Sequence, residues 1–292
     1  MIQITQETRF QKNGQHNWPN TSWPWVTDQI FKKIHKAHAD RFLCCELEHM
    51  LNHTLNPLSS EYDDLKAEKL EQKLNDCKGW FAISHQYQKK LEEHEILNKL
   101  KSKSFFKKCS GIITLSKDLK SYWLNELPTI PIYHAYHPAP ETKFIFNINT
   151  FKKDPFFRCL GNWGRKYETY YKLSHNWKTR IASKREILPK IVFEKTFVNT
   201  IHFMDLEGAS ANNGVIESMR RNTPLLINRI PAVVEYLGNQ YPFYFSNLDE
   251  ANYKINNLNL IQDTHVYLKN MDKKIIDIKN FINSIEQIVL HS

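Results

Sequence analysis

The stretch from Asn199 to Leu237, NTIHFMDLEGASANNGVIESMRRNTPLLINRIPAVVEYL, decides how the rest of the chain is read. Asn199 to Asp205 reads as a short strand, and Glu207 to Asn213 as a polar loop of small residues. A helix is predicted from about Gly214 to Arg221, because Asn222, Thr223 and Pro224 follow it. Proline cannot continue a helix and biases its predecessor away from helical angles. Leu225 to Asn228 is an apolar run closed by a polar residue, the pattern of a buried parallel strand. Arg229, Ile230 and Pro231 then turn the chain into a second short helix, Ala232 to Leu237, closed by Gly238. Strand, loop, helix, strand, loop, helix is a pair of units from a parallel sheet.

Such a unit suits a nucleotide diphosphate. Small residues let the backbone approach phosphate oxygens, and a helix N-terminus presents unpaired N–H groups with partial positive charge. Both helices begin just after strand ends, where ligands of open α/β sheets sit. Ser210, Asn212, Asn213 and Gly214 are therefore the candidate nucleotide-binding residues of the loop. Glu217, read as part of the first helical turn, is a candidate acceptor for ribose hydroxyls. The alternative is an ordinary first-turn acid, favoured there by the helix dipole alone.

The same stretch resembles the donor-sugar-binding segment of GT-B fold glycosyltransferases, especially the retaining, glycogen-synthase-like group. That group carries a motif of the form E-G-F-G-x-x-x-x-E, then a strand, a turn and a short helix. Here it becomes A-S-A-N-N-G-V-I-E, so Glu217 takes the second glutamate position and Ala209 the first. In the family the first glutamate contacts the transferred sugar and the second holds the ribose. The resemblance thus implies nucleotide binding at Glu217 and a departure in sugar handling at Ala209. A wider likeness, over Cys109 to Asn257, is to uncharacterised glycosyltransferase-like proteins of bacteria and large viruses.

Composition sets the outer bounds. The 292 residues are enough for one large domain or two of roughly 100–150 each. Hydrophobic residues make up 41% and charged residues 24%, the balance of a globular chain with a real core. No apolar run approaches the roughly 20 residues that span a bilayer. The opening MIQITQETRFQKNG has no signal-peptide pattern, so a cytoplasmic location is expected. Five cysteines without a C-x-x-C pair make neither a disulfide framework nor a zinc site, and reduced thiols are expected. The net charge of +9 favours an anionic partner: a phosphorylated substrate, nucleic acid, or an anionic membrane surface touched peripherally. Lys89–Lys90, Lys99 to Lys108 and Lys273–Lys274 are the basic clusters, and a solvated helix face is the favoured reading of each.

Upstream, HNWPNTSWPW reads as a loop punctuated by proline and tryptophan, and Val26 to Ala39 has helical spacing. Arg41 to Glu48 is a candidate strand leading into HMLNHTLNP, and Tyr62 to Leu74 a charged helix. CKGWFAISHQYQKKL from Cys77 and CSGIITLSKDLKSYW from Cys109 look alike. Each is an apolar run ending in serine before a polar helix, as two βα units with Ser84 and Ser116 as helix N-caps would give. Ile130 to His134 is the next strand. Residues 138–154 mix Pro, Lys, Asn and Phe without helical period and mark a domain boundary.

Phe156 to Gly161 opens the second domain as a strand, followed by the turn G-N-W-G-R-K, Gly161 to Lys166. In the GT-B resemblance this turn carries an arginine and a lysine that neutralise the diphosphate. That implies the role for Arg165, the first choice, or for Lys166, with Lys172 a further partner. Guanidinium gives bidentate phosphate contacts and lysine a point charge. The resemblance also implies a histidine-bearing acceptor loop after an N-terminal strand, with His49 and His53 as its candidates. Tyr167 to Leu188 reads as a helical region broken by SHNW, and Ile191 to Phe197 as a strand or connection. Tyr241 to Phe245 reads as a strand, Ser246 to Asp249 as a helix start, and Val266 to Leu290 as one long amphipathic helix.

The expectation is an α/β chain of two facing Rossmann-like domains, GT-B in architecture, with a C-terminal amphipathic helix. Residues 1–140 form a short acceptor-side domain that opens without the usual strand and glycine-rich loop. Residues 155–292 form the nucleotide-sugar domain, whose last helix crosses back. The resemblance implies a metal-independent glycosyltransferase with no cofactor beyond its nucleotide-diphosphate sugar donor. Its acceptor would be a glycan, a lipid-linked glycan or a protein. The competing readings are a degenerate binding or scaffold module and, from the basic charge, a DNA-modifying glucosyltransferase.

Overall fold

The computed structural model describes residues 3–4, 23–34, 41–60, 62–161, 164–179 and 190–291. The chain divides into two compact units. The first holds the described residues up to His137 together with the terminal helix Ile278–His291, and the second holds Pro138–Asp277.

In the first unit β1 (Gln3–Ile4), β2 (Arg41–Cys44), β3 (Gly79–Ser84), β4 (Cys109–Thr114) and β5 (Ile132–His134) form a sheet in that order. Every pairing is parallel. The two look-alike segments are neighbouring strands, with Phe81 opposite Gly111 and Ser84 opposite Thr114. All six residues of β3 are buried, which is why GWFAIS is apolar without alternation. Trp80, Phe105 and Trp123 fill the core behind it, and the Trp80 indole donates to the Phe105 carbonyl at 2.8 Å. The expected lack of an opening strand is corrected: β1 pairs Gln3 with Phe42 and Ile4 with Leu43.

In the second unit β6 (Phe156–Cys159), β7 (Lys178–Thr179), β8 (Thr200–Met204), β9 (Leu225–Asn228) and β10 (Tyr244–Phe245) form a second parallel sheet, ordered β10-β9-β8-β6-β7. Parallel pairing forces each connection to cross back over the sheet, so in each unit the strand C-termini share one edge. Loops at that edge are where a ligand is met.

Four expectations change. Ile191 to Phe197 belongs to a helix, Lys190–Val198, in which Glu194, Phe197 and Val198 are buried while Ile191 and Val192 are exposed. That spacing is helical, and the β-branched residues that suggested a strand lie on the solvent side. The helix after Lys166 ends at Tyr171, well short of Leu188; residues 180–189 lie outside those described. Val266 to Leu290 is two helices, Leu258–Asn270 and Ile278–His291, parted by a short turn in which Asp272 accepts from the Lys274 N–H at 2.9 Å. The terminal helix packs on the helix Trp23–Ile34 within the first unit and takes a hydrogen bond from Arg41 at its Val289 carbonyl, 2.6 Å. Finally, β2 stops at Cys44, and Leu47 to Thr54 winds instead as a helical turn running into a π-helical one. Among the described residues no helix is long and apolar enough to cross a membrane.

Tyr241, read from sequence as the start of a strand, precedes β10 and serves β9 instead. Its hydroxyl donates to the Leu225 carbonyl (2.8 Å) and accepts from the Leu225 N–H (3.0 Å), completing both backbone groups at the strand start. Tyr241→Phe leaves both groups buried without that partner, which costs about 1–3 kcal/mol. A melting temperature lowered by several degrees, with an unchanged far-UV circular dichroism spectrum, is the expected result. An unchanged melting temperature would contradict this role for the hydroxyl.

Candidate functional site

The second unit places its candidate residues at the C-terminal edge of β6, β8, β9 and β10. After β6 the chain turns at Gly161, whose φ is +79°, and at Gly164, φ +61°. Gly161 is favoured by its backbone conformation, and Arg165 lies against it. Its φ suits glycine, and a Cβ there would lie 2.7 Å from the Arg165 guanidinium. Arg165 folds back over its own turn and donates from Nε to the Leu160 carbonyl at 2.9 Å. The turn is stitched to the loop after β8: Lys166 N–H donates to the Asp205 carbonyl (2.8 Å) and Glu207 N–H to the Gly164 carbonyl (3.1 Å). Thr169 donates to the Asp205 carboxylate at 2.6 Å. From the β9 end, the Asn228 amide clips the Leu206 backbone twice, at 2.8 and 2.9 Å, as a strand partner would.

Between these loops lies a cavity of about 640 Å³. Lys166, Lys172 and Arg229 supply its cationic side chains, Asp205 and Glu168 its acids, and Thr169, Asn228, Ser246 and Asn247 its neutral polar groups. Arg229 is braced by Asn239 (2.8 and 3.1 Å) and lies over the Tyr244 ring. Lys166 and Lys172 are exposed. Of the two cations read from the turn, Lys166 lines the cavity and Arg165 does not. A second depression of similar size lies among Ser174, Asn252, Asn256 and Asn257, but its amides are largely engaged by backbone groups at helix ends.

The small-residue loop leads into the helix Asn213–Arg221. Asn212 is its N-cap and accepts from the Gly214 N–H at 2.9 Å. Asn213 is exposed as its first residue. Gly214 packs so close to Leu160 and Met204 that a Cβ would come within 2.9 Å of the leucine. Ser210 is buried and its hydroxyl has no hydrogen-bond partner. Glu217 lies in the second turn and not the first, so a dipole-favoured first-turn acid is the wrong description. Its carboxylate is buried, paired through Oε2 with Arg221, while Oε1 has no hydrogen-bond partner. Ser210 to Glu217 do not line the 640 Å³ cavity.

In the first unit the histidines proposed from sequence stack on each other, ring centroids 4.8 Å apart, along the turn Leu47 to Thr54. His53 Nδ1 lies 3.2 Å from the Ser59 hydroxyl. A more developed constellation sits beside them and was missed. Glu48, 1% exposed, turns inward, and its Oε1 accepts from the Ser84 hydroxyl (2.7 Å) and from the N–H groups of His85 (3.0 Å) and Gln86 (3.2 Å). Its Oε2 lies 3.0 Å from His85 Nδ1. Trp23 stacks on the His85 ring at 5.5 Å and 8°. Ser84 therefore serves Glu48 and also accepts from the Trp123 indole, and it does not cap a helix as expected. Ser116 does cap one, accepting from the Leu119 N–H at 3.2 Å. The available signal was an acid amid the apolar run Leu47, Met50, Leu51, together with a histidine directly after a fully apolar strand.

Burial pushes the Glu48 carboxyl pKa up. The charge and hydrogen bond of His85, with the Ser84 hydroxyl, outweigh it and hold the group below the usual carboxylate value.

Two parallel sheets with strand-end loops carrying these groups make the GT-B fold of nucleotide-sugar glycosyltransferases. Neither a family model nor the sequence of a curated protein matches the chain. Its likeness is structural. HepE of Anabaena, solved with UDP and glucose, superposes with a TM-score of 0.62 over 100% of this chain and 99% of its own, at 9% identity. WaaG, a glycosyltransferase involved in lipopolysaccharide biosynthesis, gives 0.56 at 11% identity over 94% and 98% of the two chains. Sucrose-phosphate synthase of Thermosynechococcus elongatus gives 0.54 at 9% identity over 91% and 74%. At such identities the shared property is the fold.

The Glu48 arrangement predicts a pH signature. A carboxyl whose folded pKa is depressed adds stability that is present above its unfolded pKa and is lost as pH falls through the lower folded value. Glu48→Gln should therefore melt below the wild type at pH 6–7. The gap should narrow as pH falls below about 4, near the unfolded carboxylate pKa. Equal melting temperatures at neutral pH would refute the assignment.

Proposed function

We propose that the protein is a glycosyltransferase that moves a sugar from a nucleotide-diphosphate sugar to an acceptor hydroxyl without a metal ion. The observation that carries the reading is the strand-end cavity with Lys166, Lys172 and Arg229, in the same unit as a loop and helix where the Ser210 hydroxyl and Glu217 Oε1 are among the buried polar atoms without a hydrogen-bond partner. In such a transfer the bond from the anomeric carbon to the diphosphate breaks and negative charge grows on the leaving group. Fixed cations and helix-start N–H groups stabilise that charge. Lys166 and Lys172, helped by Arg229, are the cations of this reading; Arg165 shapes the turn that presents Lys166. Ser210, Asn212, Asn213 and Gly214 form the loop the nucleotide contacts, and Glu217 accepts from its ribose.

HepE has been solved with UDP and with UDP-glucose, which makes uridine donors the first to try. In the first unit His85, held by Glu48, is the acceptor-side group of this reading, and His49, next to Glu48 in sequence, and His53 are the further candidates. A glycan, a lipid-linked glycan or a protein would supply the hydroxyl. The second reading is a binding module without catalysis, favoured by Ala209, which puts a methyl group where the resembling family has a carboxylate.

Turnover of UDP-, GDP-, ADP- and TDP-sugars, each with and without EDTA, separates the readings. Hydrolysis or transfer that survives EDTA is expected with at least one donor, and Lys166→Met should lower its kcat by about 10²-fold, the scale for losing one charge-stabilising group. Abolition by EDTA would rule out the metal-free mechanism. Binding of a donor without any turnover would leave the binding module standing.

A further inference from the structure

Arg221 is 1% exposed, and its guanidinium is fully engaged inside the second unit. Nε and Nη2 donate to the two oxygens of Glu194 at 2.7 and 2.8 Å, and Nη1 donates to Glu217 Oε2. The Phe197 ring centroid lies 5.1 Å away and that of Phe193 5.9 Å. The fork of a guanidinium can serve two carboxylates at once, which an ammonium cannot do in fixed geometry. The two acids are used unequally. Glu194 has both oxygens matched by the fork, whereas Glu217 is held by one oxygen and its buried Oε1 has no partner. An ion cluster made only to tie two helices together would close both carboxylates, because an unmatched buried acceptor is unfavourable.

We propose that Arg221 and Glu194 are positioning residues for nucleotide recognition: Glu194 fixes the guanidinium, which holds Glu217 by Oε2 and leaves Oε1 to accept the ribose hydroxyls. The proposal rests on the nucleotide-sugar reading above. A ribose diol is bound strongly by an ionised carboxylate and weakly by a neutral acid. Burial disfavours a charged carboxylate and a neighbouring cation favours it, and the Arg221 guanidinium is the cation paired with Glu217. His202 on β8 feels the Arg221 charge, and Arg158 on β6 acts on His202 in turn. Burial first, and then the nearby Arg158 charge, lower the His202 pKa to about 3, so that ring is neutral at working pH and Arg221 acts as the partner.

The test is calorimetric binding of UDP and 2′-deoxy-UDP from pH 5.5 to 8.5, to the wild type and to Arg221→Met, an apolar chain of similar reach. Wild-type protein should prefer UDP about tenfold or more across the range, a difference of about 1.4 kcal/mol. Arg221→Met should lose that preference at pH 6 and regain it as pH rises, because the unpaired Glu217 ionises later. If Arg221→Met does not fold, Arg221→Lys serves: it keeps the charge without the fork, and the UDP preference should fall at all pH values. A variant that is less stable yet keeps the wild-type preference and a flat pH profile overturns the positioning role. Wild-type protein that binds no UDP, GDP, ADP or TDP overturns the nucleotide reading itself, and the inference falls with it.

Discussion

Burying a carboxylate is unfavourable unless partners of matching geometry surround it, and both units rest on that constraint. In the first, Glu48 is closed in by a hydroxyl, two backbone N–H groups and an imidazole. The loop after β3 takes its path because it must bring the His85 and Gln86 N–H groups to one oxygen. In the second, Glu194 and Glu217 share Arg221, and sharing is possible because the guanidinium presents its donors in two directions. Removing one partner from either cluster leaves a buried charge unpaired, which is strongly destabilising.

Around the strand-end edge of the second unit the same logic works through neutral groups. Asn228 imitates a strand backbone to hold the end of β9 against Leu206, and Asn212 imitates a peptide carbonyl at the helix start. Gly161 yields space to the Arg165 side chain, and Gly214 lets the helix start lie against Leu160. The exposed lysines then sit on backbone whose own hydrogen bonds are spent on holding its shape. Lys166 illustrates it: its N–H fixes the turn while its side chain lines the cavity.

The segments legible in sequence were those where local pattern and tertiary fate agree. Leu225 to Asn228 is a strand with the predicted limits, because an apolar run bounded by proline and asparagine has one use in a parallel sheet. The helix ending at Arg221 stops where Asn222 adopts a left-handed φ of +54°, the stop signal read from N-T-P. Where a segment's burial depends on a distant partner, local pattern misled. Ile191 and Val192 suggested a strand, yet they are exposed while Glu194 is buried, an interior place that its pairing with Arg221 explains. Ser84 looked like a cap because serine after a strand usually is one; Glu48, 36 residues earlier, claims it instead. The site was half legible for the same reason. Loop and helix residues follow from phosphate chemistry within one segment, whereas Glu48–His85 and Glu194–Arg221 are pairings across the fold.

Ala209 bears on how donor recognition would be divided. A carboxylate at that position supplies acceptors to the hydroxyls of a transferred sugar, and a methyl group supplies none. Selectivity between sugars would then rest less on that side of the site, and affinity more on the diphosphate and the ribose. The chain is built to match. Three cations line the cavity, and one buried acid is held by a fork that leaves one of its oxygens unpaired. On the proposed function, such a site would grip the part of the donor that all sugars of one nucleotide share.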